Sequence, residues 1–104
     1  MANTILFDDD TNDHFARLTA RQRTTLLETI ELRLLHEPTV ASRNRKRMQA
    51  DKPGFVAPWE LRVAGSLRVY YDVQDGPPPT VLITAVGVKI RNRVRIGDRE
   101  IETP

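Results

Sequence analysis

Trp59-Glu60-Leu61-Arg62-Val63-Ala64-Gly65-Ser66-Leu67-Arg68-Val69-Tyr70-Tyr71-Asp72-Val73 is the stretch that decides the fold. Residues 59–63 and 67–73 each alternate apolar with polar at period two, as a strand does when one face lies on a core. Ala64-Gly65-Ser66 supplies a short turn between them, so the stretch spells a hairpin. The alternation also sorts the faces. Trp59, Leu61, Val63, Leu67, Val69, Tyr71 and Val73 fall on the core side, and Glu60, Arg62, Arg68, Tyr70 and Asp72 fall on the other. A sheet face carrying two arginines, a tyrosine and two carboxylates is the first place to look for function.

Upstream, Thr4 to Phe7 is a short apolar run that reads as a strand and stops at Asp8-Asp9-Asp10. Asp10, Thr11 or Asn12 can cap a short helix carrying Phe15 and Leu18, and Thr19-Ala20-Arg21-Gln22 has the spacing of a capping box. The second helix repeats Leu26, Leu27, Ile30, Leu34 and Leu35 at helical spacing and ends at Glu37-Pro38. Residues 38–58 are polar and basic around Arg43-Asn44-Arg45-Lys46-Arg47, which reads as a loop with at most one helical turn. Downstream, Asp75-Gly76-Pro77-Pro78-Pro79 is a stiff connection. Thr80 to Val88 is apolar on both faces, the mark of a central strand. Val94-Arg95-Ile96 and Arg99-Glu100-Ile101 flank Gly97-Asp98 as a small terminal hairpin. The order β-α-α-β-β-β predicts an α+β fold, in which a strand and a two-helix hairpin pack on one face of a small, mostly antiparallel sheet.

At 104 residues the chain has the size of one domain, and with no cysteine it offers neither disulfides nor thiolate chemistry. The first residues turn acidic where a signal peptide would be basic and then apolar. No stretch nears the roughly 20 apolar residues of a membrane span. The expectation is a soluble cytoplasmic protein that does not engage membranes. Two isolated histidines, His14 and His36, and scattered carboxylates give no metal-ligand spacing, so neither a metal nor another cofactor is expected. Net charge is only +2, but residues 1–37 carry −3 and residues 38–68 carry +5. Thirteen of the sixteen cations are arginine, the side chain whose planar fork matches phosphate.

The helical hairpin ending at Glu37-Pro38-Thr39, the two hairpin strands and Ala85-Val86-Gly87-Val88-Lys89, taken in that order, resemble the RelE/ParE superfamily of bacterial type II toxins. The resemblance covers nearly the whole chain. It implies a RelE-like fold and a cognate antitoxin, acidic and DNA-binding, as partner. In the RelE-like branch it also implies metal-independent messenger RNA cleavage, usually on the ribosome, by attack of the RNA 2′-hydroxyl on the adjacent phosphate. By position, Arg68 matches the family's hairpin arginine, Arg62 a basic position on the preceding strand, and Lys89 the basic residue after valine-glycine. These three are phosphate-stabilising candidates. The chain departs from the family near its C-terminus, where Arg93, Val94, Arg95 and Ile96 stand in place of the usual tyrosine or histidine acid or base. A base must then come from Glu60, Asp72 or Tyr70, or the ribosome must help, because arginine stays protonated. The ParE-like branch, which inhibits DNA gyrase, and a module that binds RNA or an antitoxin without cleaving remain the alternatives.

Arg43, Arg45, Lys46 and Arg47, with Arg91, Arg93 and Arg95 past the last long strand, are candidates for gripping RNA phosphates. Each also has an ordinary structural reading. The cluster at 43–47 suits a solvated loop, Arg62 and Arg68 suit cross-strand pairs with Glu60 and Asp72, and Asp98, Glu100 and Glu102 can neutralise the last group. Trp59 and Tyr71 read as core, and the triple aspartate as a helix entry.

Overall fold

A computed structural model describes residues 3–34, 45–47, 59–76, 79–91, 93–97 and 99–102. The ends of the expected second helix and loop, including Leu35, His36, Pro38 and Arg43, lie outside the described residues, as do Pro77 and Pro78. The chain is α+β, with β1 Thr4–Phe7, α1 Thr11–Ala16, α2 Ala20–Leu34, β2 Arg45–Arg47, β3 Trp59–Val63, β4 Leu67–Gln74, β5 Thr80–Ile90, β6 Arg93–Ile96 and β7 Arg99–Glu102. One mixed sheet runs β2-β3-β4-β5-β6-β7, antiparallel throughout, and β1 adds to β5 in parallel. The sequence leads to four strands and a terminal hairpin. The structure adds β2, where the basic run 45–47 pairs with β3 instead of forming a loop.

Helix entry follows the local chemistry. The Thr19 Oγ1 accepts from the Gln22 N–H at 3.1 Å and the Gln22 Oε1 accepts from the Thr19 N–H at 2.9 Å, a complete capping box. At α1 the Asp8 carboxylate accepts from the Asp10 N–H at 3.1 Å and the Asp8 carbonyl from the Thr11 hydroxyl at 2.6 Å. The first aspartate of the triplet thus turns the chain into the helix. Arg23 donates to the Phe15 and Leu18 carbonyls and closes the end of α1.

Leu26, Ile30 and Leu34 of α2 are buried against Trp59, Leu61, Val63, Leu67, Val69, Tyr71, Val81, Ile83 and Val86. Each such side chain contributes about 1.5–3 kcal/mol of burial. Leu27, expected in the same stripe, is exposed, because the buried set keeps strict four-residue spacing. Trp59 stacks on Tyr71, its register partner, with ring centroids 6.3 Å apart. β5 is central, as its two apolar faces require. β4 lines one edge. The other is shared by β1 along 80–83 and β6 along 88–90. Between them the Val86 N–H meets the His14 Nδ1 at 3.5 Å, so α1 fills the gap. A β-bulge skips Thr84, since Tyr70 pairs with Ala85 and Tyr71 with Ile83. The skip puts Val81 and Ile83 on the same face as Val86 despite the odd spacing.

Candidate functional site

The hairpin alternation sends Glu60, Arg62, Arg68 and Tyr70 away from the helices, as expected, but this face is not open. A second apolar cluster of Tyr70, Ala85, Val94 and Ile96 forms on it. Glu60 is 3%, Arg68 5% and Tyr70 0% exposed. Tyr70, a candidate base by sequence, is therefore sealed from solvent. Among Arg62, Arg68, Lys89, Glu60 and Tyr70, Arg62 reaches solvent most fully, with 42% of its side chain exposed, and Lys89 is half-buried.

Strand register assembles them. Glu60 stands opposite Tyr70 and Tyr70 opposite Ala85, while Arg62 stands opposite Arg68 and Arg68 opposite Gly87. The Arg62 Nε lies 3.5 Å from the Glu60 Oε1, an ion pair along one strand. Burial first, then the charge of the neighbouring Glu60 carboxylate, push the Tyr70 hydroxyl far above its ordinary value. Arg68 and Arg62 pull the other way and lose. Tyr70 stays neutral and does not serve as a base at physiological pH.

Arg68 does not pair with Asp72. Its Nη1 donates to the Gly65 carbonyl at 2.8 Å and to the Leu67 carbonyl at 2.9 Å, across a turn in which Ala64 and Gly65 both take positive φ (49° and 79°). The Asp72 carboxylate instead accepts from the N–H of Val73. The Lys89 N–H donates to the Ser66 carbonyl at 2.7 Å, so the same turn is held from β5. Arg62, Arg68 and Lys89 thus gather from three strands around one hairpin end.

The remaining basic candidates divide. Lys89 pairs with Val94 and belongs to the Tyr70 side, whereas Arg93 pairs with Ile90 and Arg95 with Val88, which packs on the helix-side core. Lys89 and the arginines after it therefore do not form one continuous surface. The pleat puts Arg93 and Arg95 on the opposite face, where Arg91 joins them in an open cleft with Ile90 and Glu100. Sequence reasoning missed Ile90 and Glu100 as lining residues. The signal was the parity of a two-residue connection between positions 90 and 93. Lys46 is in register with Glu60, Arg45 with Leu61 and Arg47 with Trp59, which brings the basic run alongside β3. Among the described residues no cluster of histidines and carboxylates is arranged to hold a metal, and no helix is long and apolar enough to cross a membrane.

The arrangement defines a small α+β protein with a buried carboxylate–phenol pair beneath an exposed arginine. Comparison with models of known protein families finds no match, nor does comparison with curated proteins.

Proposed function

We propose that the chain is a RelE/ParE-type toxin with a RelE-like fold that stops translation by cleaving messenger RNA, on the ribosome, and that an acidic antitoxin holds it inactive. The observation that carries this is that Arg68 and the Lys89 main chain both bind the Ala64–Ser66 turn, while Arg62 stands opposite Arg68 and pairs with the buried Glu60 carboxylate. In the reaction the RNA 2′-oxygen bonds to the adjacent phosphorus, the P–O5′ bond breaks, and a 2′,3′-cyclic phosphate forms. Arg62 and Lys89 bind the phosphate as its charge grows, and Arg68 acts as a positioning residue that fixes the turn between them. Arg62 also covers Glu60. When its guanidinium turns to the phosphate, the carboxylate is uncovered and takes the 2′-proton. The leaving 5′-oxygen takes its proton from water.

A second reading, binding without cleavage, is favoured by one observation: Glu60 and Tyr70 are both buried, so proton transfer requires Arg62 to move. The test is incubation of the folded protein with a defined messenger RNA, with and without programmed ribosomes, and mapping of the new ends. Cuts at codon positions that leave cyclic phosphate support cleavage. Blocked translation with intact RNA supports the binder, and double-strand breaks in DNA on expression support the ParE-like alternative.

A further inference from the structure

The cleft on the other face has about 460 Å³ of space and is lined by Ile90, Arg91, Arg93, Arg95 and Glu100. Small-ligand pockets run from about 300 to 1,000 Å³. Three of its features are independent of one another. Arg93 and Glu100 are 3.5 Å apart and both more than half exposed, so this ion pair stands at the solvent and is weakly held. Among the described residues Arg91 and Arg95 have no ion-pair partner. Ile90 is 51% exposed, an apolar surface beside three guanidinium groups.

Arg91 adds a sharper sign. Its φ is +60°, in the left-handed region that the tight connection from Ile90 to Arg93 demands and that glycine or asparagine occupies at lower cost. An arginine held in strain at an exposed turn, where burial does not call for it, points to a use for its side chain.

The lining specifies a ligand. Guanidinium forks match phosphate oxygens, the Ile90 surface suits the flat face of a base, and the Glu100 carboxylate accepts from hydroxyl or amino groups. A bare anion would meet Glu100 unfavourably, as would an acidic peptide segment. We propose that this cleft binds a nucleoside phosphate, with the phosphate on Arg91 and Arg95, the base against Ile90, and a ribose hydroxyl or base amino group donating to Glu100. The unit can be a free nucleotide or one residue of single-stranded RNA. In the second case the inference rests on the RNA reading above, and the strand must pass around the end of the β5–β6 hairpin to reach both faces.

The test is calorimetric titration of the whole chain with adenosine 5′-monophosphate, a hexa-adenylate, inorganic phosphate and a leucine-containing acidic peptide. Saturable binding of either adenine ligand is expected, at least tenfold weaker in both Arg95→Gln and Arg91→Gly. Arg91→Gly is expected to melt no lower than the parent, since glycine relieves the backbone, so its lost affinity is not lost folding. Hexa-adenylate at least tenfold tighter than the mononucleotide identifies the RNA source, and comparable affinities identify the free nucleotide. The proposal is overturned by absence of adenine binding, by affinities unchanged in both variants, by inorganic phosphate matching the mononucleotide, or by the acidic peptide alone binding. Arg62→Ala separates this failure from that of the RNA-cleavage reading: it is expected to slow cleavage about a hundred- to thousandfold and leave mononucleotide affinity unchanged.

Discussion

Arg68 is bound to Gly65: its Nη1 donates to the glycine carbonyl at 2.8 Å, and a second bond at 2.9 Å reaches the carbonyl of Leu67. The arginine thus closes the turn that it follows in sequence. Ala64 in that turn sits at φ 49°, a conformation costing a side-chain-bearing residue about 1–2 kcal/mol. The guanidinium offsets that strain. Arg68→Ala is therefore expected to lose about 1.5–3 kcal/mol for each charged hydrogen bond removed, read as a lower denaturation midpoint. Loss of activity in this variant reports on chemistry only in samples shown to be folded.

Ala64→Gly is expected to shift stability the other way, because glycine takes positive φ without the Cβ clash. Its gain is smaller than the full strain, about 0–1 kcal/mol, because glycine gives up more freedom on folding. Raised thermal stability in this variant, with unchanged RNA cleavage, would locate the strain in the turn and separate it from the chemistry.

Tyr70 sets the alkaline limit of stability. Its folded pKa lies above the unfolded value of about 10, so the unfolded chain releases this proton first as the pH rises. The stabilisation is full below about pH 10 and is lost as pH climbs toward the folded value, at about 1.4 kcal/mol per pH unit. Chemical denaturation between pH 9 and 11 checks this, and Tyr70→Phe is expected to flatten the slope. The same variant is expected to keep RNA cleavage, since Tyr70 is sealed from solvent and substrate. Abolished cleavage in a folded Tyr70→Phe sample would make the phenol a catalytic group.

Gly87 is fixed by space. A Cβ there would collide with the Arg95 carbonyl oxygen and approach Ile96 Cγ1 to 2.9 Å and Val94 Cγ1 to 3.0 Å. Gly87→Ala must push β6 off β5, and with it the cover over Tyr70. A loss of about 1–3 kcal/mol is expected, together with faster hydrogen exchange at the Ile90 and Arg93 N–H groups, which face each other across β5 and β6, while the Lys89 N–H, bound to Ser66, is spared.

The hairpin's two faces, the capping box at Thr19 and Gln22, the α+β layering and the central place of β5 were all legible, because periodicity and local turn chemistry determine them. What the sequence hid lies in long-range placement. The alternation put Tyr70 and Glu60 on a non-helix face, but it could not reveal that Val94 and Ile96, more than twenty residues on, cover that face. Nor could it show that the Arg68 fork turns to main-chain carbonyls, since an arginine on a strand reads the same whether it faces solvent, a carboxylate or its own turn. The split of the basic residues between two faces depended on one connection, the two residues between Ile90 and Arg93.

The central claim is that Arg62 both grips the scissile phosphate and releases Glu60. Single-turnover cleavage of a messenger RNA on programmed ribosomes, compared between the parent and folded Arg62→Ala, tests it most directly. A drop of about a hundred- to thousandfold is expected, the loss that follows removal of one preorganised donor to a transition state. An Arg62→Ala rate within a few-fold of the parent would contradict it.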